Sequence, residues 1–193
     1  MSLALLTGCT PTPAGSDPTR ALESSPTPSV ATSDSAEPID SSDPASWLIS
    51  ADGIGPISIG QTVDEAVLAL AAFTSLPVPC ENNAYLMYQL TPDLGLTIAI
   101  GDGTTVRAVG ITTDFDRAAT VASPRTTEGV GLGSTIADVQ SVYSDAVPVD
   151  GSAEYIHVED GDTWISFSPE FGDVTVVLSV DVAQGWSIPS EFC

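Results

Sequence analysis

The chain reads as an α+β protein, built from two tandem units of helix plus antiparallel meander behind a disordered tether. Three observations predict this. A ten-residue stretch recurs once at a fixed offset, each copy precedes a helix-period run and then period-two runs, and the composition changes sharply at Trp47. The implied organisation is 1–9 partial leader, 10–46 tether, 47–123 first unit and 124–193 second unit.

The recurring stretch runs Ile57-Ser58-Ile59-Gly60-Gln61-Thr62-Val63-Asp64-Glu65-Ala66 and returns as Val130-Gly131-Leu132-Gly133-Ser134-Thr135-Ile136-Ala137-Asp138-Val139. In register, Gly60 meets Gly133, Thr62 meets Thr135, and apolar meets apolar at 57/130, 59/132, 63/136 and 66/139. An echo at one offset is how an internal repeat shows itself. Each copy also reads mechanically. The glycine permits a sharp, left-handed turn. The threonine hydroxyl caps the free N–H groups of a helix start, and Glu65 or Asp138, three positions on, reaches back to the cap and favours the positive helix end.

Residues Met1 to Cys9 end in Leu6-Thr7-Gly8-Cys9. The tetrad resembles a bacterial lipobox, in which signal peptidase cuts before the cysteine and its thiol takes diacylglycerol. The basic n-region is missing and the apolar run is shorter than a normal signal, so the leader is partial. Thr10 to Ser46 is dominated by Pro, Ser and Thr, with Leu22, Val30 and Ile39 isolated. Such a tract buries too little to offset its ordering entropy and is expected to be disordered. As a flexible coil it would span about 35 Å, holding an acidic domain clear of acidic headgroups.

In the first unit, Asp64 to about Ala72 carries Val63, Val67 and Leu70 at helical spacing, widened by Ala66 and Ala71. Pro77-Val78-Pro79 closes it. Three strands follow: Tyr85 to Leu90, then Leu94 to Ile100 with clean alternation, then Thr105 to Thr112 beyond the Gly101-Asp102-Gly103 turn. In the second unit Ile136, Val139, Val142 and Tyr143 mark the helix. Tyr155 to Glu159, Thr163 to Ser168 and an alternating Val174 to Val182 mark three strands, with a long turn at Pro169 to Asp173. Pro124 to Glu128 reads as the junction. Helices beside antiparallel meanders define an α+β fold.

The chain has 193 residues, 26 of them Asp or Glu against four Arg and no Lys, for a formal charge of -22. That balance excludes nucleic acid, which needs clustered cations, and direct adsorption to anionic lipid. Solubility and self-repulsion account for it, with a divalent metal or cationic ligand as the sharper reading.

Chemistry is sparse. His157, the one histidine, lies in a strand pattern that turns it to solvent, with no nucleophile setting beside it. Gly101-Asp102-Gly103 and Glu159-Asp160-Gly161-Asp162 lack the ligand set of a calcium loop and read as hairpin turns. Gly53-Ile54-Gly55-Pro56 lacks phosphate-loop spacing. No catalytic, cofactor-binding or metal-ligating residue is assigned, and no cofactor is expected. Trp47, Trp164, Trp186, Tyr85, Tyr88 and Phe171 read as packing residues, any left on the sheet surface being natural partner anchors. With Cys9 lipidated, Cys80 and Cys193 remain, and an even remainder in an exported protein favours a disulfide. Closing so long a loop is worth up to ~4.7 kcal/mol. The other reading is two unpaired thiols.

Two copies of apolar-x-apolar-Gly-x-Thr-x-x-acid, each followed by a helix and a meander, resemble the tandem repeats of β-lactamase inhibitory protein and the single domain of the BamE/SmpA outer-membrane assembly lipoproteins. Those families carry Gly-Met-Thr where this chain has Gly60-Gln61-Thr62 and Gly133-Ser134-Thr135. The Asp52 to Pro56 opening and Cys193 are also similar to lipoproteins of high-GC Gram-positive bacteria. The resemblance implies fold, since the shared residues make a turn and a cap. The sequence therefore leads us to expect a lipoprotein held by Cys9 on the extracytoplasmic face of the cell membrane. Its expected role is a non-enzymatic protein-binding or scaffold module with an envelope or secreted partner. The alternatives are an inhibitor of an envelope enzyme and an acidic divalent-metal or cationic-ligand binder.

Overall fold

Antiparallel pairing dominates the chain. The computed structural model describes residues 40–78, 84–144, 146–148, 156–170 and 173–184. Cys9, Cys80, Cys193, Trp186, Phe171 and all of the tether before residue 40 lie outside the described residues. The architecture is mixed, mostly sheet with a few short helices.

A 3-10 turn at Pro44–Ser46, capped by the Asp43 carboxylate accepting from the Ala45 N–H, delivers Trp47 into the core. The Trp47 indole donates to the Asp40 carbonyl at 3.0 Å, and its ring meets Phe73 edge-on at 5.6 Å. Three two-residue strands follow, β1 (Ile49–Ser50), β2 (Gly53–Ile54) and β3 (Ile57–Ser58), forming a small antiparallel sheet. Helix α1 (Val63–Ala69) leads to β4 (Thr74–Leu76), β5 (Tyr85–Thr91), β6 (Leu94–Ile100) and β7 (Val106–Thr112). After the short α2 (Phe115–Ala118), helix α3 (Ile136–Val142) leads to β8 (Val147–Pro148), β9 (Ile156–Asp160), β10 (Thr163–Glu170) and β11 (Asp173–Gln184). All eight later strands share one sheet, in the order β4-β5-β6-β7-β11-β10-β9-β8. Its edges are a three-residue strand and a two-residue strand containing Pro148, both poor templates for further pairing.

Helices α1 and α3 both open on a full capping box. Thr62 Oγ1 accepts from the Glu65 N–H while the Glu65 carboxylate accepts from the Thr62 N–H at 3.0 Å. Thr135 and Asp138 repeat the arrangement, with the carboxylate 2.9 Å from the Thr135 N–H. These bonds hold the Glu65 and Asp138 carboxyls below their ordinary range, the threonine hydroxyl being the larger cause. Their contribution to stability is therefore present above the unfolded carboxylate pKa and lost as pH falls.

The glycines before the caps bind the sheet alike. Gly60 donates to the Val106 carbonyl and Gln61 accepts from the Val106 N–H, at 2.8 and 2.9 Å. Gly133 donates to the Val177 carbonyl and Ser134 accepts from the Val177 N–H, at 2.9 and 2.8 Å. Gly60 and Gly133 both have positive φ, 82° and 79°. One face of the sheet takes the core: Ala66, Leu70 and Val139 from the helices and Ile54 and Ile57 from the small sheet pack there with Leu96, Val109, Phe167 and Val180.

Several boundaries differ from the sequence reading. Helices α1 and α3 each span seven residues and are followed by a short edge strand, β4 or β8, so four strands follow each where three were expected. Strand β10 continues through Pro169 to Glu170, where the sequence suggested a turn, because a register shift at Ser168/Pro169 absorbs the proline. The same irregularity breaks the alternation expected along Val174 to Val182. Val177 faces the core with Val180 and Val182, and Leu178 leaves the central cluster. Val67 and Val142, placed on apolar stripes by spacing, are exposed, because two-turn helices bury only about one residue per turn.

Candidate functional site

The face of the large sheet opposite the core is where its chemistry collects. Alternation sends the other half of each strand there: Tyr85 and Met87 from β5, Thr97 and Ala99 from β6, Ala108 and Gly110 from β7, Ser179, Asp181 and Ala183 from β11, and Trp164, Ser166 and Ser168 from β10. Among the described residues no helix crosses this face.

Two cross-strand rows run over it. The first is Tyr85, Ala99, Ala108, Ala183 and Trp164, in register from β5 to β10. Tyr85 and the three alanines form a second apolar cluster, separate from the main core, with Val78 packed against it. The other row is Met87, Thr97, Gly110, Asp181 and Ser166, with His157 of β9 next in register.

Asp181 is the chemically unusual member. Its neighbours in register, Gly110 and Ser166, carry no charge, and the Ser179 hydroxyl donates to Asp181 Oδ2 at 3.1 Å. Burial disfavours the carboxylate and pushes the group up to about 7, the Ser179 bond pulling weakly the other way. Beside it the Ser166 hydroxyl is buried with no hydrogen-bond partner. In register, Ser166 stands between Asp181 of β11 and His157 of β9.

A second polar cluster joins the turn before α3 to the helix. Tyr143 donates to Glu128 at 2.7 Å and stacks on Phe167 at 5.9 Å. The Tyr143 and Thr127 hydroxyls hold Glu128 down to about 2, while burial, with Glu128 beside it, pushes Tyr143 up to about 12. Arg125 ties the same region, donating to the Gly129 and Leu132 carbonyls at 3.0 and 3.1 Å. These contacts fix the loop between the two halves. Asp102 is likewise an organiser of its turn, held to about 2 by donors led by the Thr104 hydroxyl.

Of the residues singled out in the sequence, Gly60, Thr62, Glu65, Gly133, Thr135 and Asp138 sit at the two helix starts and not on the outer face. Trp47 and Tyr88 are core residues, whereas Tyr85 and Trp164 lie on the outer face. Asp181 escaped notice because an acidic residue at an alternating strand position looks solvated. The readable signal was the small residues, Gly110, Ala108 and Ser166, that its neighbouring strands bring to the same face.

No protein-family model and no curated protein matches the chain. Two solved structures are similar to part of the chain. One is a DUF4309 family protein (YjgB) from Bacillus subtilis, at 15% identity and a TM-score of 0.46 over 66% of this chain and 82% of that one. The other is a cysteine-rich secretory protein (SAV1118) from Staphylococcus aureus, at 13% identity and a TM-score of 0.40. That alignment covers 65% of this chain and 44% of the other.

Proposed function

We propose that the chain is a lipid-anchored extracytoplasmic module that binds an envelope or secreted protein and catalyses no reaction. The observation that carries the location is Leu6-Thr7-Gly8-Cys9 followed directly by a Pro/Ser/Thr tract and then, at Trp47, by core-forming sequence. Lipid on Cys9 and a long polar tether are the normal means of holding an acidic domain off an acidic surface. The binding role is supported by the part-exposed Met87 and Trp164 on the outer sheet face, large side chains of the kind that anchor a protein partner.

The folded part is, in this reading, a tandem duplication resembling β-lactamase inhibitory protein and the BamE/SmpA domains. The matching capping boxes, the matching bonds of Gly60 to Val106 and Gly133 to Val177, and the mirrored strand order support it. Cys80 paired with Cys193 completes the scheme.

Anchoring is tested by radiolabelled palmitate in a Gram-positive host producing the protein from its own gene. Label should enter the wild-type protein and move with the membrane fraction. Cys9→Ser should abolish both, and label persisting in that variant would remove the lipid-anchor reading.

A further inference from the structure

We infer that the solvent-facing side of α1 is a docking surface separate from the outer sheet face, and that it takes a partner-protein segment carrying apolar side chains together with Lys or Arg. Val67 and Leu68 of this helix are 43% and 76% exposed. Ala71 and Ala72, both exposed, continue the surface, the Ala71 N–H donating to the Leu68 carbonyl at 3.3 Å in the closing turn. Ala66 and Leu70 are fully buried, so the core already takes its share of this helix. Single exposed apolar residues need no explanation, whereas a run of neighbours on one short helix does.

Helix α3 provides an internal comparison. It opens on the same capping box and is bound to the sheet by the same glycine bond. At the same distance from its capping threonine, it places Gln140 and Ser141 where α1 has Val67 and Leu68. Ser144 stands where α1 has Ala71, and all three polar residues are exposed. The open apolar residue of α3, Val142, stands at the place of the part-buried Ala69. A helix in this setting therefore needs no apolar side chain at those positions, and the open face of α1 is not a requirement of the fold.

Charge selects the occupant. The first turn of α1 bears Asp64 and Glu65. The turn holding Asp102 is bonded to the same helix start, the Thr104 carbonyl accepting from the Val63 N–H at 2.9 Å. All three acids are exposed. Between Arg20 and Arg107 the sequence has no Lys, Arg or His, and the Arg107 side chain lies against Gly101. Two copies meeting through this face would set carboxylate against carboxylate with no cation between them, and an anionic lipid surface is repelled in the same way. A protein segment with apolar residues to cover Val67, Leu68, Ala71 and Ala72, and cations beside them, complements both parts of the surface. Apolar contact then supplies the affinity, while opposite charge steers and orients the partner. The inference goes beyond the proposed binding role by naming a different surface and the chemistry of what binds there.

The test places photoreactive p-benzoylphenylalanine in the full-length chain, in cells, in place of Leu68 and, as the matched control on α3, in place of Ser141. Irradiation should join the first protein, and not the second, to an envelope protein. The cross-linked peptide should carry apolar residues together with Lys or Arg. Val67→Gln/Leu68→Ser gives α1 the residues that α3 carries, so it should keep the wild-type circular dichroism and weaken binding of that peptide by about tenfold. Should the double variant fail to fold, Leu68→Ser alone provides the comparison. A cross-link to a second copy, to another part of the same chain, to lipid or to a segment without cations would overturn the inference. So would no cross-link at all, or equal cross-linking from the two positions. An envelope partner held equally by the wild-type chain and by Val67→Gln/Leu68→Ser would overturn it too, while leaving the binding-module reading standing.

Discussion

Asp181→Asn is expected to stabilise the protein by about 2–4 kcal/mol at pH 8 and to change little at pH 4. The carboxyl is pushed up to about 7 in the fold, against an ordinary value of 3.8. Between those values the native state binds the proton more tightly than the unfolded chain does. Its favourable contribution is complete below the unfolded pKa and is lost as pH rises through the folded one. About three pKa units at ~1.4 kcal/mol each set the upper bound. Asparagine keeps an acceptor for the Ser179 hydroxyl, 3.1 Å away in the native side chain, and carries no charge to bury. Urea unfolding at the two pH values checks this. Equal stability of the two proteins at pH 8 would mean that water reaches the carboxylate freely.

Gly133→Ala is expected to cost about 3–5 kcal/mol, and Gly60→Ala only about 1–2. The two residues occupy the same place in their motifs and have almost the same positive φ. A methyl group at Gly60 meets nothing within 4 Å, so only the left-handed backbone is penalised. At Gly133 it would drive into the Ala118 carbonyl, at the end of α2, which must then move together with the loop behind it. Denaturant midpoints of the two variants separate the cases. Equal losses would show that α2 gives way freely and that the close approach matters little.

That asymmetry marks how far the sequence could be read. The helix starts were legible because capping is local: a threonine, an acid three positions on and a glycine before them determine the geometry by themselves. The hairpin between Leu94 and Thr112 was legible for the same reason, through strict alternation and the Asp102 turn. The edge strands were not, since Thr74–Leu76 and Val147–Pro148 are too short to show a period and exist only through pairing with β5 and β9. The register shift near Pro169 was hidden too, because a bulge depends on the partner strand. The fate of Asp181 needed the full sheet, since Gly110 and Ser166 are 71 and 15 residues away in sequence and become neighbours only by register. Function was least legible. The residues that repeat serve the fold, and a partner-binding face has no local motif.

The most direct test of the binding-module account is capture from solubilised envelope on the immobilised full-length chain, compared with Thr97→Arg. Thr97 stands on the outer face beside Gly110, and an arginine there places bulk and charge on that surface. The account predicts one partner held in stoichiometric amount by the wild-type chain and lost by the variant, with both showing the same folded circular dichroism. A partner held equally by both proteins, or none held by the wild type, would contradict it.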